Sequence, residues 1–114
     1  MEESILTSIK KLLGLEEDYG AFDIDVIIHI NSAFFTLNQL GIGPEGGYSI
    51  TGSSDEWIDF TGGRIDINAV KTYVYLKVRN LFDPPDTSYA REAFKKQAEE
   101  YEWRLLVQSK ENSP

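Results

Sequence analysis

Residues 23–41 carry apolar side chains on two faces of one helical period. Val26, Ile27, Ile30, Ala33, Phe34 and Leu37 fall on a broad face, while Ile24, Ile28 and Phe35 fall nearly opposite. One apolar stripe seats a helix on a core, so a helix with two must be covered twice. Asp23 is positioned to cap this helix, with Phe22 and Ile27 as a hydrophobic staple, and Gly41 to end it. Ahead of it, Ile5, Ile9, Leu12 and Leu13 recur at helical spacing and predict a first helix over residues 4–13. Glu2 and Glu3 at its start and Lys10 and Lys11 at its end suit the helix dipole, and Gly14 suits its closure. Residues 15–22 read as an acidic connector.

Further on, Ile67, Val70, Val74, Val78 and Leu81 form a tight core stripe that predicts a helix over residues 67–82, capped by Asp66. Ala69, Tyr73 and Leu76 give it a weaker second apolar face, and Lys71, Tyr75 and Arg79 a basic one. Asp83-Pro84-Pro85-Asp86 stops it, because proline neither donates an amide nor tolerates a helical residue before it. A last helix over residues 88–109 follows on Ala90, Phe94, Ala98, Tyr101 and Leu105, with Trp103, Leu106 and Val107 off its stripe. These two should form an antiparallel pair with the second helix across them. Residues 110–114 read as a frayed tail.

Residues 41–66 differ in kind, holding seven of the nine glycines. Residues 48–51 and 57–60 are rich in β-branched and aromatic side chains, which predicts a short β-hairpin with a five-residue turn. The expected fold is therefore mainly α: one domain over residues 1–114, about four helices, and a β-hairpin in the loop between helices 2 and 3.

At 114 residues the chain is one domain by size. No run reaches the length of a membrane span, and the acidic start is unlike a secretory signal. Absence of cysteine removes disulfides and thiolate chemistry. The net charge of −8 is lopsided: residues 1–60 hold 2 basic and 11 acidic side chains, residues 61–114 hold 9 and 8. Such a first half opposes a grip on many phosphates, yet suits a protein that lies near DNA without adhering.

Candidate chemistry is sparse. Asp25 and His29, at i and i+4, share a helix face as two metal ligands would, but no second histidine or cysteine completes a site. Glu16, Glu17 and Asp18 lack the alternation of a calcium loop. Asp55, Glu56 and Asp59 beside Trp57 read as a wet rim. GIGPEGG at residues 41–47 fits no phosphate-loop pattern, and Gly62-Gly63-Arg64 reads as a joint. With a lone histidine and no nucleophile beside a base, neither catalytic residue, metal nor cofactor is expected. Lys71, Tyr75 and Arg79 suit a nucleic-acid backbone or an acidic partner, a copy of the same chain included.

Residues 70–108, VKTYVYLKVRNLFDPPDTSYAREAFKKQAEEYEWRLLVQ, and above all LFDPP and EYEWRL, resemble the small head–tail connector (head-completion adaptor) proteins of tailed bacteriophages. The resemblance implies a structural virion protein, not an enzyme. It would form a homo-oligomeric ring, commonly of twelve copies, under the portal after DNA packaging. The ring would extend the DNA channel and support the tail. Implied partners are the portal protein and the next connector or tail completion protein. DNA would pass without specific binding, and no membrane is involved. The place is the head–tail junction of the virion, with assembly in the host cytoplasm. Ring contacts are expected at Ile24, Ile28 and Phe35 and at the hairpin's Tyr48, Ile50, Trp57 and Phe60. Trp103, Leu106 and Val107 would face the portal. Two alternatives remain: an acidic DNA mimic that inhibits a host nucleic-acid-binding protein, although its carboxylates are scattered rather than in rows, and a metal-dependent hydrolase resting on Asp25 and His29.

Overall fold

The computed structural model describes residues 4–63 and 65–111. Five helices follow in order: α1 (Ile5–Leu12), α2 (Asp23–Gln39), α3 (Trp57–Thr61), α4 (Ile67–Phe82) and α5 (Ser88–Glu111). Glu2, Glu3, Arg64 and the last three residues of the expected tail lie outside the described residues; α5 itself continues through Glu111.

The long helices sit where the apolar periodicity puts them. Val26, Ile30, Ala33, Phe34 and Leu37 of α2 are buried, as are Val70, Val74 and Val78 of α4. Tyr73 and Leu76, on the weaker face of α4, are buried too, so α4 is covered on two sides. It touches all four other helices, most extensively α2 and α5. Asp66 caps it as expected, accepting from the amides of Asn68 and Ala69 at 2.9 and 3.4 Å. After the double proline, Thr87 accepts from the amide of Ala90 at 3.1 Å and opens α5. Arg91 pins the turn by donating to the carbonyls of Pro85 and Asp86.

Gly41 closes α2 in the left-handed region at φ 80°. Its amide meets the carbonyl of Asn38, and the amide of Ile42 meets that of Leu37, both at 2.9 Å. This is the double closure that needs a residue without a Cβ penalty, and it drives Ile42 into the core. Gly14 closes α1 in the same way, with Leu15 donating to Lys10.

The hairpin is a correction. Among the described residues there is no strand, only an isolated antiparallel bridge between Ser4 and Glu56. Residues 57–61 are helical instead. Trp57, Phe60 and Thr61 are buried while Ile58 and Asp59 are exposed, a spacing of i, i+3, i+4 rather than alternation. Asp59 accepts the amide of Glu56 at 3.1 Å and Gly62 closes the turn onto Ile58 at 2.8 Å. Residues 48–51 form no strand, and the segment is held by a side chain. The carboxamide of Asn31 on α2 accepts from the amide of Ile50 at 2.7 Å and donates to its carbonyl at 3.0 Å, as a neighbouring strand would.

These contacts fold the glycine-rich segment onto the core. Phe34 is ringed by Tyr48, Trp57 and Phe60 at centroid distances of 5.1, 6.4 and 4.6 Å. The indole N–H of Trp57 donates to Ser8 Oγ on α1 at 2.8 Å. Gly43 runs flat over Phe60, where a Cβ would stand 2.4 Å from the ring. Ile50, Trp57 and Phe60 therefore lie inside the chain's own core, and the expectation that they present a contact surface is corrected; Tyr48 is half-buried against the same cluster.

Trp57→Ala should thus cost about 3–5 kcal/mol, against a total of about 5–15 kcal/mol for a domain of this kind. Asn31→Ala, which strands two backbone groups, should cost about 1–3 kcal/mol. Urea melts followed by circular dichroism would show both losses; a Trp57→Ala chain as stable as the natural one would contradict this packing.

Candidate interaction surfaces

The start of α2 is fixed by a buried cation. Lys10 on α1 is 2% exposed, and its ammonium donates to the carbonyl of Glu17 at 2.9 Å and lies 2.8 Å from Asp23 Oδ1. A charge this deep is tolerated only when paired and hydrogen-bonded. Asp23 is consequently the first residue of α2 rather than its cap; Phe22 stands at the cap without a side-chain bond. Nor does Phe22 need Ile27 as a staple partner, since its ring meets Tyr19 and Phe82 edge-on at 5.8 and 5.4 Å. The knot of α1, connector and α2 sets the rotation of α2 about its axis.

That rotation turns Ile24, Ile28 and Phe35 outward. They are 75, 58 and 60% exposed. The loop reaches α2 beside them, at Asn31, and covers none of them. Between Phe35, Asn31 and Asn38 on one side and residues 46–49 on the other lies an open notch of about 390 Å³. No lysine or arginine occurs in α2, and Asp25 is exposed beside Ile24 and Ile28. Three large apolar side chains in one row on a rigid helix are what a protein presents to another chain.

A second exposed apolar pair lies on α5, where Trp103 is 66% exposed and Val107 stands one turn beyond it. Leu106 turns the other way and packs on the core. Nothing brings this pair together with the α2 row: each helix is seated chiefly on α4.

The remaining sequence candidates take structural places. Tyr75 and Arg79 lean on α5, with Tyr75 and Phe94 rings 6.4 Å apart and the guanidinium 5.9 Å above Phe94. His29 rests edge-on against Phe82 at 6.5 Å. Among the described residues no three His, Cys, Asp or Glu side chains gather as a metal site would need. Sequence reasoning placed Leu81 in the core, but it is exposed. It belongs to the last turn of α4, which LFDPP cuts short beyond the core. The charge of Lys10 hid its burial, and its partner Asp23, thirteen residues on, gave no local signal of the pair.

Two phenols are held neutral. The hydroxyl of Tyr73 donates to Glu102 Oε2 at 2.7 Å across the α4–α5 seam; burial, that bond and the carboxylate's charge push its pKa far above the usual value near 10. Tyr48 is pushed up to about 12 by burial, with Asp55 and Asp59 adding.

Taken together, the structure defines a small helical module: a packed core, exposed apolar rows on α2 and α5, and no helix among the described residues long and apolar enough to cross a membrane. The chain belongs to the phage connector protein family, whose model matches residues 5–112. No curated protein and no solved structure matches it. Membership gives it a structural role at the head–tail junction of a bacteriophage.

The raised phenol values fix a pH dependence. The unfolded chain loses these protons near pH 10, while the folded chain keeps them to higher pH. Their stabilising contribution is therefore complete below pH 10 and drains away as pH rises through the folded values. Stability should fall between pH 10 and 12, and Tyr73→Phe should flatten that fall; chemical melts across this range that superimpose for both chains would contradict it.

Proposed function

We propose that this connector assembles as a homo-oligomeric ring under the portal, lengthens the channel through which DNA passes, and carries the next connector or tail component. The observation that supports it is the outer face of α2. That face is apolar, and among the described residues nothing covers it. Another copy is the natural cover in a ring, because each subunit there meets two others. The count of twelve copies rests on the family resemblance.

The charge pattern fits the same place. A first half with 11 acidic and 2 basic side chains repels a DNA backbone within the screening length of about 8–10 Å. DNA then slides past without adhering. Trp103 and Val107, with Leu106 behind them, provide a separate surface for the portal. Family membership favours this role over the DNA-mimic reading and over a hydrolase built on Asp25 and His29.

Ile28→Asp together with Phe35→Ser tests the reading. Both positions are exposed, so the isolated chain should keep its stability to within about 1 kcal/mol, two surface changes of about 0.5 each. Burying a charge and removing an aromatic anchor should lower incorporation into particles tenfold or more. Quantitative blotting of purified particles from complemented infections measures this; unchanged incorporation would contradict the proposed ring surface.

A further inference from the structure

Helix α5 is the longest of the five at 24 residues, yet among residues 88–110 Ala98 and Leu105 alone are buried. The other eighteen buried apolar side chains lie between Ile5 and Val78. The aromatic ring around Phe34 and the Lys10 knot involve no residue of α5. Among the helices, α4 is the one extensive neighbour of α5. The polar bonds across their seam include Tyr73 to Glu102 at 2.7 Å, the amide of Asp66 to Gln108 Oε1 at 2.9 Å and Asn80 to the carbonyl of Arg91 at 3.3 Å. The last two are exposed, where water competes for both partners.

The sequence of α5 also depends on packing less than that of α4 does. Val107 is its single β-branched residue, whereas α4 carries Ile67, Val70, Thr72, Val74 and Val78. Most of the rest of α5 is Ala, Glu, Lys, Arg, Gln and Leu, the residues that favour a helix without help. Glu92–Lys96 and Glu100–Arg104 stand at i, i+4 in the favourable order, the second closed at 3.1 Å. Its length exceeds the roughly 12–15 residues below which an isolated helix is marginal.

The turn before it has a natural break. Arg79 on α4 donates to the carbonyl of Asp83, while Arg91 on α5 donates to the carbonyls of Pro85 and Asp86. Asp83 is thus tied to one helix and residues 85–86 to the other, with Pro84 between them. We infer that α5 is a hinged arm: it lifts from α4 as a unit, pivoting at Pro84, while the core between Ile5 and Val78 stays folded. Sub-global opening of this kind belongs to elements with few buried contacts. Trp103 lies fifteen residues beyond Ser88, about 22 Å along the helix, so a pivot of about 20° carries it through about 8 Å. The arm is a property of the single chain and does not depend on how copies pack.

Hydrogen exchange of the free chain, read residue by residue by NMR under conditions where closing outpaces exchange, tests it. Amides 92–107 should share one opening constant, at least tenfold larger than that of the buried stripe of α2. Ile30 is fully buried on α2, which has no extensive contact with α5. Ile30→Val should therefore speed α2 exchange roughly two- to tenfold and leave α5 unchanged. Tyr73→Phe, which removes the shielded bond of the seam, should speed α5 exchange roughly tenfold; an unchanged α5 would count against the hinge. An α5 that follows α2 in Ile30→Val opens with the whole core and would overturn the inference. Protection that declines steadily from residue 92 to residue 107 would overturn it too, as a fraying end in place of a hinged arm. Either outcome leaves the connector role standing.

Discussion

Every other helix of this protein lies on α4. Its valines at 70, 74 and 78 meet one set of neighbours, while Tyr73 and Leu76 are buried on another side. Helix α4 is therefore packed on more than one side. Helix α2 gives its buried stripe to the core, and among the described residues nothing covers its outer face. With α4 in the central place, the row of Ile24, Ile28 and Phe35 on α2 stays exposed. Moving an apolar side chain of this size out of water is worth about 1.5–3 kcal/mol, so three exposed together form a strong reason to associate.

The glycine-rich segment shows the same economy of material. Its backbone is pinned at Ile50 by a single carboxamide, and its aromatic side chains complete the cluster around Phe34. It packs on the core and approaches the outer face of α2 only at its edge. Its aromatic residues hold the core together instead of reaching for a neighbour. The uncovered apolar row of α2 lies on a regular helix, which loses little conformational freedom on binding.

Much of this was legible in the sequence, for reasons that differ by element. The helices α1, α2, α4 and α5 declared themselves because their apolar residues recur with helical period over many turns and their ends carry caps and glycines. The two-faced character of α2 was readable from Ile24, Ile28 and Phe35 alone. Helix α3 was misread as a strand because five residues are too few for a period to show, and Trp, Ile and Phe favour strands in isolation. Its helical signature was the acidic pair at 56 and 59 followed by glycine at 62. The role of Asn31 had no local signal: its partner, Ile50, is nineteen residues away. Leu81 fitted the core stripe by period, and only the place where α4 ends relative to the core turns it outward.

The central claim is that the outer face of α2 is buried by another chain when the connector is in place. Hydroxyl-radical footprinting of the free chain and of intact particles reads it at residue level. Phe35 should be oxidised readily in the free chain, where it is 60% exposed, and be strongly protected in particles, while Tyr73 stays protected in both. Equal oxidation of Phe35 in the free chain and in particles would contradict the account.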